Sequence, residues 1–578
     1  MRKIIWRLLA SLLLSALAAG NATAGSQQDL LRNPSLAGRP GGRLVVAQRA
    51  EAKTLNPAIA IDRPSREVIG RMQADLIHIN RFTQRTEPAL AKSWTVSRDG
   101  REYLLHLRRG IRFSDGQPFD ADDVVFSFRV YLDDKVHSSQ RDLLVLDDQP
   151  IEVEKVDQYS VRFRLKQPYA AAERLFDGVY ILPRHLLEKA YQENKLSEMW
   201  SLTVPADQIA GLGPFRFKSY VPGQQLVLEK NPYYWKEDAK GTRLPYLDEL
   251  VFLTVPTEDA EALRFEGGET DVLNRISAEN FAELSRRLNP DYTLQDAGPG
   301  LEYNFLLLNM NDDTQVRLPE IAGKETWFRN LQFRRAVSLA IDREGIVRLV
   351  YHGKGVPLWG QVAPGNKLWQ DTNLPHPAQS VDKAKDLLRS AGFSWNSQGN
   401  LLDPARQPVQ FTIIASSSNT QRLQIANIVQ QDLQKLGMQV QVVPLEFRSF
   451  VQRITQTHDY EAAVMGIASG DVDPNGEINV WMSNGQTHLW NLGEKKPATM
   501  WEAEIDDLMK KQLTTMNVAE RKKLYDRVQE IVAEQLPIIC IASPDILVGS
   551  KRRLQNFRPA VLEHYTLHNV DELYWAPQ

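Results

Sequence analysis

The chain has 578 residues and a single cysteine, Cys540, so no disulfide can form within it. That cysteine lies in the apolar run PIICIA, which marks it as a small buried hydrophobe rather than a reactive thiol. Beyond residues 8–19, no stretch approaches the ~18 apolar residues of a membrane span. Positive charge is not in excess either: 69 Lys and Arg stand against 72 Asp and Glu, which leaves no electrostatic footprint for nucleic acid. The ten histidines are scattered along the chain, and their spacing is read as offering no zinc site. The familiar catalytic signatures are missing as well: there is no H-E-x-x-H, no G-x-S-x-G and no Walker glycine loop. Asp471 and Asp473 stand close together, as a glycosidase pair might be sought, but residues two apart on a strand face opposite sides and would hardly flank one bond. These absences point to binding rather than chemistry, with no enzyme activity, metal or cofactor expected.

What is present begins with a targeting segment. Arg2, Lys3 and Arg7 precede the apolar run Leu8–Ala19, and Ala22-Thr23-Ala24 supplies the small-x-small pattern before Gly25. A cleaved signal peptide over 1–24 is expected, with no lipid anchor, since no cysteine follows the run. Without it, the exported chain carries three fewer basic residues and a net charge of −6. Some 550 residues are too many for one core and predict two or three domains.

Residues 25–41 are rich in Gly, Pro and Ser and read as a flexible segment, and Leu44–Ala47 reads as the first strand. A hairpin-rich section follows. In LAKSWTVSRDGREYLLHLRRGIRFSDG, Trp94 and Val96 alternate on one strand and Tyr103, Leu105 and Leu107 on the next, with the tight turn at Asp99-Gly100. A third short strand is expected at Ile111–Phe113. Asp120 then caps a helix, with Asp123 at the third position. Later, PVQFTIIAS, RLQIANIVQQDLQKLG and MQVQVVPLEF read as strand, helix, strand, the pattern of a parallel crossover unit.

The stretch from Leu90 to Phe128 closely resembles the signature of the oligopeptide- and dipeptide-binding proteins of bacterial ABC importers, extracellular solute-binding family 5. Trp94, Asp99, Gly100, Tyr103, Leu107, Arg108, Gly110, Phe113, Asp115, Gly116, Ala121, Asp123 and Val124 match it. TLNP, GLGPF, NPYYW, FRRAVSLAIDREGIV, GKGVPLWGQVAPG and LLRSAGF follow in order, so the resemblance spans nearly the whole chain. It implies a periplasmic-binding-protein-like α/β fold: two α/β lobes joined by a hinge, with an additional β-rich domain beside the first lobe. Lobe I would comprise 42–80, 205–300 and 540–578, the additional domain 81–204, and lobe II 301–539. It also implies a function: capture of short peptides in the interlobe cleft and delivery to an inner-membrane ABC permease, by a monomer in the periplasm. An oligosaccharide or other small solute is the alternative cargo, and nickel and haem also occur as ligands among relatives. An exported hydrolase and a sensory partner of a membrane receptor are the remaining readings.

By the same resemblance, one ligand segment maps onto Ile61, Asp62 and Arg63, and the other onto 464–474, with Met465, Gly466, Ile467, Ala468, Gly470 and Asp471 as contacts. Peptide-binding members carry there an aspartate that pairs with the ligand's α-ammonium; here that position is Gly470, and Asp471 lies one residue later. Tyr303 and Asn304 begin the first strand of lobe II near the expected cleft. Trp359, Trp369, Trp481 and Trp490 lie in segments of loop character, where exposed tryptophan faces would suit sugar rings, although a packing role is the ordinary one. Trp359, in the rim GVPLWGQVAPG, is taken as a ligand contact.

Overall fold

Residues 538–551 are apolar and β-branched through most of their length, and they form one 14-residue strand, Ile538–Lys551, buried along nearly all of it. In the computed structural model, which describes residues 28–146, 149–287, 289–312 and 318–577, this strand organises the molecule. Its first part runs antiparallel to Glu302–Leu308, with Leu307 opposite Ile538, and the sheet continues through Ala462–Ala468, Gln410–Ser416 and Gln439–Leu445. Its last part runs antiparallel to Tyr292–Pro299, with Leu294 opposite Gly549, and to Val272–Leu273. From there the sheet continues through Arg43–Gln48, Glu249–Thr254, Gln225–Lys230 and Phe215–Val221. Gly355–Pro357 pairs with the middle of the long strand, giving twelve strands in all.

One sheet therefore serves two α/β lobes, and the chain crosses between them along 292–308 and 538–551. The crossing ladder breaks between Asp296 and Pro299, where Gly298 adopts φ +86°, a conformation glycine takes without steric cost. With few ladder bonds at that point, it is the natural hinge.

Within lobe II, Gln410–Ser416 and Gln439–Leu445 lie parallel and are joined by helix Thr420–Gln434, the expected crossover unit. Asn419 caps that helix by accepting from the Arg422 amide at 2.9 Å. Residues from Tyr303 to Ala542 share one apolar core. A second core runs without a break from Leu44 and Val46 of lobe I to Tyr103, Leu105 and Phe128, so lobe I and the hairpin-rich section share one apolar core.

The opening hairpin forms as the alternation predicts. Val96 stands opposite Tyr103 and Trp94 opposite Leu105, with Gly100 at φ +69° in the turn. Asp120 and Asp123 make a reciprocal capping box at the start of helix Ala121–Leu132. The third strand expected at Ile111–Phe113 reduces to a single bridge between Arg112 and Pro118, because Gly116 turns the chain back too soon for a ladder.

Residues 28–41 correct the expectation of a flexible segment. Leu31–Arg32 pairs with Lys236–Glu237, Leu36 is buried, and the Gly38 amide donates to the Tyr246 hydroxyl at 2.7 Å. The composition hid a docking partner some 200 residues away in sequence. The signal peptide expected over 1–24, and residues 25–27, lie outside the described residues. No described helix is long and apolar enough to cross a membrane. Cys540 is buried, and burial pushes its thiol up to about 12, as an inert core residue requires.

Candidate functional site

A cleft of about 1020 Å³ opens between the lobes. Arg49, Arg63, Glu67 and Arg275 line it from lobe I, and Glu302, Tyr351 and Arg422 from lobe II. Its centre is an ion cluster spanning the hinge. Glu302, at the start of the crossing strand, is paired with Arg275 of lobe I and, at 3.2 Å, with Arg422 of lobe II. Burial would raise the Glu302 carboxyl, but the two guanidinium groups bring it below its ordinary range. Arg422 Nε also donates to Asn304 Oδ1 at 2.8 Å, and Asn304 Nδ2 donates to the Tyr351 hydroxyl at 3.1 Å.

Two arginines share one carboxylate at the cleft floor, within a lining that carries nine Asp and Glu and six Lys and Arg. Arg63 stands beside them. Its contact with Glu563 is loose, 3.8 Å, and its guanidinium lies over the Tyr565 ring at 5.5 Å, with Arg275 on the same ring at 5.7 Å. Planar, always-charged forks of this kind suit a ligand carboxylate or other oxyanion.

Of the residues expected at the site, Arg63 faces the cleft directly. Asp62 is the N-cap of helix Arg63–Met72, accepting from the Ser65 amide at 2.9 Å, and so aims the helix start, with Arg63, at the cleft. Ile61 stands 72% exposed beside it. Asn304 lies one layer behind the wall, where it holds Arg422. Gly466 abuts the same pair: a Cβ there would fall 2.5 Å from Asn304 Oδ1 and 2.6 Å from an Arg422 nitrogen. Met465 and Ile467 are half-buried beside it and Ala468 is exposed. Tyr303 points the other way, into the lobe II core, its hydroxyl donating to Glu477 at 3.2 Å. Trp359 stacks on His376 at 4.3 Å, away from the residues that line the cleft. Trp481 and Trp490 are fully buried and Trp369 nearly so, so none of the three presents a face to a sugar.

Gly470 is exposed, and a Cβ on it would meet open space. Asp471 is engaged: both its oxygens grip the Arg174 guanidinium of the additional domain, Nε to Oδ2 at 2.5 Å. Around that pair, Gln84 Nε2 donates to the Gly365 carbonyl at 2.5 Å and the Ala170 amide to the Leu513 carbonyl at 2.8 Å. The additional domain is thus latched to lobe II. Asp473 is clamped by Arg521 through two contacts of 2.7 Å, with both side chains buried. Neither carboxylate is placed as a free acid or nucleophile.

Arg275, Glu302 and Arg422 were not singled out from the sequence. Nothing local marks the two arginines, whereas Glu302, directly before Tyr303-Asn304, was within reach of the strand argument.

The family model described as bacterial extracellular solute-binding proteins, family 5 middle, matches residues 85–488. A probable ABC transporter-binding protein of Deinococcus radiodurans is 25% identical, covering 89% of this chain and 89% of its own length. The oligopeptide-binding protein AppA of Bacillus subtilis is 25% identical, covering 96% and 94%. Among solved structures, the periplasmic binding protein DppA of Helicobacter pylori, in complex with the peptide STSA, superposes with a TM-score of 0.69 at 25% identity, covering 93% of this chain and 99% of that one.

Proposed function

Because the chain belongs to the bacterial extracellular solute-binding proteins of family 5, we propose that it captures short peptides in the interlobe cleft and hands them to an inner-membrane ABC permease. The observation that carries the peptide reading is an unpaired strand edge. Ala462–Ala468 is bonded along its length to Glu302–Leu308 on one side, but on the other only Ala462 and Ala463 pair, with Ile413 and Ile414. The second edge of 464–468 has no strand partner among the described residues, and it lies where Gly466 meets the cleft-lining Arg422. An extended peptide added there bonds through its backbone, which gives affinity with little regard for side chains. Its carboxylate would meet the guanidinium groups of Arg63, Arg275 and Arg422.

The ligand contacts in this reading are Ile61, Asp62 and Arg63 on one side and Met465–Ala468 with Gly470 on the other, while Asn304 acts through Arg422. The protein works as a periplasmic monomer, freed of its signal peptide and without a lipid anchor. Lobe I and the additional domain rotate against lobe II at Gly298 and the long strand, and the closed form docks on the permease. A dissociation constant near micromolar, about −8 kcal/mol, holds cargo firmly yet lets it go.

The test is native mass spectrometry of the purified protein, then denaturation to release its cargo. Masses resolving into short peptides support the reading; hexose-spaced masses overturn it. Protein that arrives empty is titrated with a mixed short-peptide library, where absence of binding refutes it. Gly470→Asp supplies the ammonium partner that peptide-binding relatives place there, in open space, and should tighten binding of peptides with a free N-terminus but not of acetylated ones.

A further inference from the structure

Away from the cleft, the loop between helix Ile478–Trp481 and helix Met500–Thr514 buries three ionisable side chains together. The side chains of His488, Glu494 and Glu502 are 0%, 6% and 4% exposed. Their ligand atoms all lie within 4.8 Å of one another. His488 Nε2 is 3.5 Å from Glu494 Oε2 and 3.7 Å from Glu502 Oε1, too far for good hydrogen bonds. His488 Nε2 and the Glu494 oxygens make no well-formed hydrogen bond. A cluster of buried polar atoms in that condition calls for an explanation, and an unfilled ion site is one.

The surroundings aim these atoms at a common point. His488 Nδ1 lies 3.2 Å from the Val480 carbonyl, to which it donates, so Nε2 is turned toward the two carboxylates. This backbone tether is the usual support of a metal-binding imidazole. Glu502 is held by Trp490 Nε1, which donates to Oε1 at 3.0 Å, and by the Thr499 hydroxyl, which donates to Oε2 at 2.7 Å.

We propose that His488, Glu494 and Glu502 bind a divalent transition-metal ion of the zinc class, which clasps the 485–499 loop to the body of lobe II. Ligands about 2.0–2.1 Å from a tetrahedral ion stand roughly 3.3 Å apart. The 3.5 and 3.7 Å from His488 need a contraction of a few tenths of an ångström to close on one, with the two carboxylates brought in from within 4.8 Å of each other. One imidazole and two carboxylates favour zinc, cobalt or manganese over calcium or magnesium, which prefer all-oxygen shells. The proposal goes beyond the expectation, drawn from histidine spacing, that the protein holds no metal.

A second cluster shows what a filled arrangement looks like. Asp75, His78 and Asp177 are equally close, but there Arg81 pairs with Asp177 at 2.8 Å. Burial opposes a charge on His78, yet Asp75 and Asp177 raise it to about 9, so the cation is already built in.

The test uses the full protein, stripped with a chelator and dialysed against Zn²⁺ or Co²⁺. One equivalent should be retained on elemental analysis, with a higher melting temperature, visible Co²⁺ bands of a low-coordinate site, and a change in tryptophan emission, since Trp490 lies 3.9 Å from His488 ring to ring. Glu494→Gln should abolish all four responses while the metal-free variant melts no lower than the metal-free parent, because the change removes an unpaired buried acid. The proposal is overturned if the parent retains no stoichiometric metal, or if Glu494→Gln and His488→Gln retain as much as the parent.

Discussion

Replacing Asp471 by asparagine tests how the additional domain governs closure. The wild-type carboxylate grips Arg174 with both oxygens across the boundary between the two moving bodies, so the pair exists only when they are together. Hydrogen bonds to charged groups contribute about 1.5–3 kcal/mol each when buried. Here the Asp471 side chain keeps 27% exposure, and Arg174 retains a bond to the Gln84 carbonyl at 3.1 Å, so the amide leaves it partly satisfied. We therefore assign the latch about 1.4 kcal/mol, which is tenfold in the closing equilibrium. Peptide affinity measured by calorimetry should weaken by up to that factor, since the cost of closing is taken from binding. Small-angle scattering of the unliganded variant should show a larger radius of gyration, while the melting temperature changes little, as both cores are untouched. Unchanged affinity and scattering would refute the latch. A loss beyond about a thousandfold, or 4 kcal/mol, with unchanged scattering would instead make Asp471 a direct ligand contact.

Gly466→Ala should weaken peptide binding severalfold with a smaller effect on stability, because the new methyl displaces Arg422 from Asn304; calorimetry showing parental affinity would count against the wall described here. Asp473→Asn should destabilise by about 3–5 kcal/mol in urea unfolding, since it strands the buried Arg521 charge, and a loss below about 1 kcal/mol would mean the pair is not isolated from water. His78 sets a pH dependence: its folded value is raised from 6.5 to about 9, so its contribution is fully present below pH 6.5 and is lost as pH rises through 9. Melting temperatures of the parent should fall across that window, and those of His78→Gln should fall less; parallel curves would sink the assignment.

Local chemistry was the legible part. Asp99-Gly100, the Asp120–Asp123 box and the crossover unit at 410–445 announce themselves because turn, cap and periodicity all lie within a few residues. What escaped was pairing over distance. Arg174 and Asp471 are 297 residues apart, and Arg275 and Arg422 reach Glu302 from different lobes. The tryptophans took the ordinary packing role: Trp481 ends the short helix Ile478–Trp481, Trp490 lies in a turn, and both fold inward. Irregularity in sequence carries no sign of which side faces water. The His488 cluster was hidden for a related reason, since its ligands follow no helical or hairpin spacing.

The strand Ile538–Lys551 is synthesised after every strand it joins. Until it emerges, Tyr292–Pro299 and Glu302–Leu308 each carry an open edge, and neither half of the sheet is finished. A product truncated upstream of it would therefore leave the two halves unjoined, and would present two open edges for proteolysis or aggregation. The same placement that links the lobes for motion thus makes completion of the whole molecule a single late event, so a half-built binding protein has little chance of surviving to occupy the permease.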